Sequence, residues 1–310
     1  MLALLALACL CRRAAAQRLD LTQRESLSDA WWTGPLLTPS AGTVPPGHLV
    51  VEPYFYDVVA PHANGLGSST FVIAGVANRV VLGVIPSFGY TVPGDGSKSS
   101  GIGLGDITAH AQYRFTQFRP GRTLPTISAV LEETFPTGKY DRLGNRPGDG
   151  LGSGVITTTL ALYSQTYFWM PTGRILRVRL NLSQSLSGRA QVTGVSVYGT
   201  ATGFSGIARP GASFKASAAS EYSLTRRWVL AADVALGYVA STVVVGSIAT
   251  DSGAVASRLE SGASTPIALA PAVEYNAGPR FGVIVGFRMV PSGRNITGTI
   301  TPTVAVNIVR

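Results

Sequence analysis

The sequence predicts an all-β chain, a transmembrane antiparallel β-barrel of about 12 strands with short turns at one end and longer loops at the other. Three observations carry this expectation. The composition is rich in glycine, with 36 residues in 310, and poor in charge at 13%, which suits strands better than helices. Mean hydropathy is +0.26, yet beyond the N-terminus no run of ~18 apolar residues offers a membrane-spanning helix. Apolar residues recur instead at every second position, as strands with one apolar face require.

The chain opens MLALLALACLCRRAAAQ. The apolar run Leu2 to Cys11 followed by Ala14-Ala15-Ala16 predicts a secretory signal over residues 1–16, cleaved before Gln17. A start truncated upstream accounts for the missing basic residues and for Arg12 and Arg13 lying after the apolar core. Both cysteines, Cys9 and Cys11, fall within this signal. The mature chain then has no disulfide, thiol nucleophile or Cys-metal site. Formal net charge is +9, spread without a Lys/Arg cluster among aromatics, so no nucleic-acid partner is expected.

Residues 17–47 have no clean periodicity and end in Pro/Gly. They form the expected periplasmic or plugging segment, with Trp31 and Trp32 as anchors. The barrel follows over 48–310. Alternation is clearest where Leu176, Val178, Leu180 and Leu182 oppose Arg177, Arg179, Asn181 and Ser183. It recurs in Trp228 to Tyr238 with Asp233 opposite, and in Phe281 to Met289 with Arg288 opposite. The stretch GIGLGDITAHAQYRF (101–115) invites a phosphate-loop reading. Its glycines match no such motif, however, and Ile107, Ala109, Ala111, Tyr113 and Phe115 alternate strictly with polar residues.

Runs near 48–59, 68–77, 80–92, 104–118, 123–137, 154–169, 174–188, 212–224, 227–240, 265–277, 280–290 and 296–310 are the expected strands. Short turns at Asn78-Arg79, Arg119-Pro120-Gly121, Pro171-Thr172-Gly173, Thr225-Arg226 and Ala277-Gly278-Pro279 alternate with loops near 60–67, 93–103, 138–153, 189–211 and 241–264. Pro291-Ser292-Gly293 is brief. Aromatics gather at the short-turn ends: Tyr113, Phe115, Phe168, Trp169, Tyr222, Trp228, Tyr275 and Phe281. They predict an interfacial girdle on the periplasmic side. A thinner rim of Tyr56, Tyr90, Tyr140 and Tyr238 is expected opposite. A soluble β-sandwich would alternate too, but has no reason to gather aromatics at one set of strand ends.

Several segments resemble an outer-membrane protein family labelled "meta-pathway of phenol degradation-like" or simply "transporter". They are AWWTGPLLTPSAGTVPPGHLVVEPYFYD (30–57), GLGDITAHAQYRF (103–115), LEETFPTGKYDRL (131–143), DGLGSG (149–154) and APAVEYNAGPRFG (270–282). The resemblance implies a Gram-negative outer-membrane barrel grouped with hydrophobic-compound channels. Its partners would be outer-membrane lipid, the barrel-assembly machinery and a small-molecule solute. The ending Asn307-Ile308-Val309-Arg310 departs from the terminal aromatic usual in such barrels.

By strand parity the lumen-facing candidates are Glu52, His110, Arg114, Glu132, Arg177, Arg179, Lys215, Glu221, Asp233, Glu274 and Arg288. They either form a solute-selecting constriction or pair with one another across a narrow lumen. Glu133 shares parity with Leu131 and Phe135 and is expected on the outside. No enzyme motif appears: HExxH, GxSxG and DxDxDG are absent, and His110 lacks a neighbouring serine. Asp95, Asp141 and Asp149 read as solvated loop charges rather than cation sites. The expected function is passive passage of small apolar or amphipathic molecules, with neither catalysis, metal nor cofactor. A barrel enzyme acting on lipid and a closed structural barrel are the rivals.

Overall fold

A computed structural model describes residues 24–94 and 96–310. The expected signal and both cysteines lie outside the described residues. Strands run as β1 (Leu49–Ala60), β2 (Ala63–Ala77), β3 (Val80–Ile85), β4 (Ser87–Pro93), β5 (Gly103–Leu104), β6 (Ile107–Thr116), β7 (Thr126–Phe135), β8 (Thr157–Trp169) and β9 (Ile175–Ser187). They continue as β10 (Ala190–Thr193), β11 (Phe204–Arg209), β12 (Ser213–Ser223), β13 (Trp228–Val239), β14 (Val243–Thr250), β15 (Gly253–Glu260), β16 (Ile267–Gly278), β17 (Phe281–Val290) and β18 (Thr299–Val309).

The main sheet closes on itself. Its neighbours run β1-β18-β17-β16-β13-β12-β9-β8-β7-β6-β3-β2, all antiparallel, and β2 pairs back with β1. With β4 continuing β3, this is a barrel of 12 staves. Closure removes the free sheet edges that a membrane would penalise. The alternation read from the sequence sorts cleanly into faces. Leu180, Leu182, Leu230, Leu236, Val285 and Phe287 are exposed on the outer surface, while Arg177, Arg179, Asn181, Asp233 and Ile284 are buried within. An exposed apolar band of this extent is what lipid, and not water, would cover.

Three departures from the sequence reading have local causes. No long loop occupies 60–67: β1 turns at Pro61-His62 directly into β2, whose Gly, Ser and Thr residues give a weak alternation signal. The third stave is split at Pro86, which cannot donate to a ladder; its carbonyl accepts instead from the Thr70 amide at 3.1 Å. The loops near 189–211 and 241–264 contain a second sheet, ordered β10-β11-β14-β15. Val155, Ala190, Val192, Phe204, Ala208 and Val244 form its buried core, with Tyr140 and Tyr198 packed against it. The Tyr198 hydroxyl donates to the Ser153 carbonyl, and burial pushes its ionisation up to about 12. Asp149 ties two of the long-side loops together. The Ser100 amide donates to its carboxylate at 2.6 Å and holds it below the usual carboxylate range.

Candidate functional site

Residues 32–44 lie inside the barrel, with 24–31 and 45–47 at its short-turn end, and sequence explains why the segment has no regular structure. Pro35, Pro39, Pro45 and Pro46, with Gly34, Gly42 and Gly47, exclude both helix and ladder. The segment therefore carries backbone N–H and C=O groups with no partners of their own, and burial makes those groups expensive. The inward-facing polar residues of the wall supply the partners.

The segment enters at the short-turn end, where the Glu25 amide donates to the Gly173 carbonyl at 3.0 Å. The Glu25 carboxylate accepts from Arg174 at 3.0 Å and from the Ser223 hydroxyl at 3.1 Å. The chain then turns inward past strand after strand. The Thr33 amide donates to Glu274 at 2.7 Å and the Leu36 amide to Asp233 at 2.9 Å. Arg179 donates to the Thr38 carbonyl at 2.9 Å, Asn181 to Pro39 at 2.9 Å, and Ser128 to Ala41 at 2.6 Å. Gln112 reaches the carbonyls of both Ser40 and Gly42 at 3.2 Å. Leu36 packs on Ala231, Ala272, Ile284 and Ala305, and Ala41 is fully buried beside Val130 and Tyr163.

The segment leaves at the same end, where the Gly47 amide donates to the Gly75 carbonyl at 2.9 Å. Gly75 has a steric role here, because a Cβ at that position would collide with the Pro45 carbonyl. Gly75→Val is expected to displace the exit and destabilise the protein by about 1–3 kcal/mol, the range for forced overpacking. The midpoint of urea unfolding in detergent or lipid measures this.

One ion cluster stands among these contacts. Glu221 is fully buried and faces two guanidinium groups. Arg177 donates to it through Nε at 2.6 Å and through a second nitrogen, and Nε of Arg179 lies 3.0 Å away. The Arg177 guanidinium also stacks on Trp32, 4.5 Å from the ring centroid. Register puts these residues together: Arg177 is paired with Glu221, and Arg179 lies one inward position along the same strand.

Alongside the segment runs a cavity of about 1010 Å³, lined in part by the segment from Trp32 to Val44. Its lining is two-faced. Strands β1 to β3 contribute Val50, Tyr54, Tyr56, Val58, Phe71, Ile73, Val81 and Ile85. The stretch from β6 to β12 contributes His110, Glu132, Thr159, Asn181, Ser183, Ser185, Ser213, Lys215 and Ser217. His110 and Glu132, opposite each other in register, pair at 2.9 Å. Lys215 reaches the Leu37 carbonyl at 3.4 Å, and Glu52 and Arg288 complete the wall.

The structure thus gathers the sequence candidates into three settings. Arg177, Arg179, Glu221, Asp233 and Glu274 hold the segment; Glu52, His110, Glu132, Lys215 and Arg288 line the cavity. Arg114 belongs to neither, lying half-buried at the short-turn rim, where its amide donates to the Arg79 carbonyl. Glu133 faces outward and accepts from the Thr158 hydroxyl at 2.7 Å. Gln112, Gln165, Asn276 and Ser128 were not singled out in sequence, and Asn181 only as part of an alternating run, although their parity marks them as inward-facing. Uncharged polar residues carry little signal until the buried backbone they serve is known.

Of the expected girdle, Tyr113, Phe115, Phe168, Trp228 and Phe281 are exposed on the outer wall. Tyr113 packs edge-on against Phe115, and Trp228 lies 4.8 Å from Tyr275. Tyr222 is half-buried beside them and shares a hydrogen bond with Thr172. Trp169 does not belong to this girdle. It follows Phe168 directly, so the pleat turns it inward, where its indole donates to the Glu25 carbonyl at 2.8 Å. Tyr56 likewise leaves the opposite rim for the cavity wall, since it shares parity with Glu52 and Tyr54.

The chain matches no protein-family model and no curated protein. Among solved structures it is similar to an outer membrane channel from Pseudomonas putida F1, with 14% identity, a TM-score of 0.58, and 86% of this chain and 97% of that one covered. The Pseudomonas putida toluene transporter TodX aligns at 12% identity and a TM-score of 0.47, covering 91% and 95% of the two chains. The translocator domain of autotransporter NalP from Neisseria meningitidis aligns at 11% and 0.43, covering 84% and 87%. The first of these similarities, together with strand order and closure, gives the chain the fold of an outer-membrane β-barrel.

Proposed function

We propose that this protein is a channel of the Gram-negative outer membrane through which small amphipathic molecules pass passively. The observation that carries the reading is the two-faced cavity. An aromatic and aliphatic wall from β1 to β3 faces a hydroxyl, amide and charged wall from β6 to β12 across about 1010 Å³. A solute with a ring and a polar head can satisfy both walls at once, whereas a sugar leaves the first unused and an alkane leaves buried polar groups unpaired. The inner segment, which lines that cavity from Trp32 to Val44, forms the restriction, and the closed ladder around it holds the wall while the restriction shifts.

Purified protein in planar bilayers tests the reading. Small discrete conductance steps are expected, reduced reversibly when a phenol or aryl alcohol is added. Tyr56→Ser and Phe71→Ser should weaken that block several-fold with the steps themselves retained. A protein that gives no current, or whose current is blocked equally well by glucose, would sink the proposal. Lipid hydrolysis without current would favour the barrel-enzyme rival.

A further inference from the structure

The short-turn end carries a charge pattern that solute passage leaves unused. Each of the six junctions at this end holds an arginine: Arg79 after β2, Arg122 after β6, Arg174 after β8, Arg227 after β12, Arg280 after β16, and Arg310 where β18 meets β1. Because the staves follow one another around the barrel, these positions are distributed over its whole circumference, with Arg79 opposite Arg227 and Arg122 opposite Arg280. All but Arg174 are exposed.

Counter-charge at this end is sparse. Outside the lumen, the acidic residues there among the described residues are Glu25 and Asp29, already engaged by Arg174 and Arg226. Lys98, Lys139 and Lys215, the chain's lysines, all lie elsewhere. The choice of arginine at every junction matters chemically. A guanidinium presents a fork that binds phosphate oxygens two at a time, and it sheds water more readily than an ammonium.

Position supplies the second argument. The arginines sit one step beyond the outward aromatics, as in Arg227-Trp228 and Arg280-Phe281. Outward Trp and Tyr rings mark the headgroup level of a bilayer. The next residues toward the turn therefore stand at the height of the phosphates. We propose that this ring binds the phosphate groups of anionic phospholipids in the leaflet facing the short turns, fixing the barrel's height and tilt. This inference rests on the membrane placement proposed above. Multiple arginines near an anionic surface act together, and the attraction weakens within a Debye length as salt rises.

The test uses the full folded chain in phosphatidylcholine vesicles, with and without phosphatidylglycerol, and with spin-labelled forms of both lipids. Flotation comes first: a chain that inserts into neither vesicle overturns the membrane reading itself. For the inserted protein, phosphatidylglycerol is expected to associate several-fold more strongly than phosphatidylcholine at low salt, with the preference falling in high salt. The variant R79Q/R122Q/R227Q/R280Q should insert and stay heat-modifiable while its preference drops to parity. If that variant does not fold, R79Q/R227Q and R122Q/R280Q separately should each lose part of the preference. An unselective native protein, or variants that keep full selectivity, overturns the proposal. Inorganic phosphate that abolishes the preference at matched ionic strength would identify a general anion site and equally overturn it.

Discussion

A chain that begins at Pro46 is expected to fold into the same barrel and to conduct several-fold more current than the protein that keeps residues 24–45. The wall does not depend on the missing residues. Its ladder closes through β1 with β18 and through β1 with β2, and every stave is paired on both sides without the inner segment. The deletion removes the groups that accept from or donate to Glu274, Asp233, Arg179, Asn181, Ser128 and Gln112. Water then solvates those side chains, so the penalty for unpaired buried polar groups is largely avoided. Heat-modifiable migration checks the fold, and single-channel recording checks the conductance. An unchanged conductance with the barrel intact would show that residues 24–45 do not set the flow, and would remove the restriction assigned to them.

Most of the wall was legible in the sequence because a membrane barrel writes its pattern at period 2. Strands such as Ile175–Ser187 and Phe281–Val290 fall within a residue or two of the alternating runs. The lumen candidates came from the same parity. What parity cannot say is what an inward side chain meets. Sequence alone left open whether Arg179 pairs across the lumen or selects a solute; the structure gives it a carboxylate on the adjacent strand and a carbonyl of the inner segment, a partner that parity does not reveal. The segment itself was visible only as aperiodic and Pro/Gly-rich, since its conformation is set by contacts with staves all around the barrel rather than by neighbours in sequence. Trp169 shows a different failure. Grouping aromatics by nearness to a turn ignores the pleat, and two consecutive rings cannot both face lipid. The second sheet beyond the barrel was missed because Gly and Ser dilute the alternation in its strands.

Glu221→Gln is expected to be the most damaging single substitution in the lumen, costing about 3–5 kcal/mol, the range for breaking a buried ion pair from one side. The amide keeps the shape of the carboxylate but removes the one negative charge in contact with both Arg177 and Arg179. Both guanidiniums are buried, so neither can recover solvation without movement. Arg177 is further confined by the Trp32 ring above it, and Arg179 by the Thr38 carbonyl. Glu274→Gln should cost distinctly less. The Glu274 oxygen serves a backbone amide, that of Thr33, and an amide oxygen can accept the same bond. The order of the two variants is therefore a sharper test than either value. Urea unfolding in lipid vesicles gives it, with a lower midpoint at unchanged slope marking lost stability rather than a changed unfolded state. Salt should not rescue Glu221→Gln, because buried charges are poorly screened. Equal losses for the two variants would mean that the cluster contributes no more than ordinary hydrogen bonds. A loss confined to Glu221→Gln, accompanied by a noisier single-channel current, would mean that the same cluster clamps the wall and holds the segment against it.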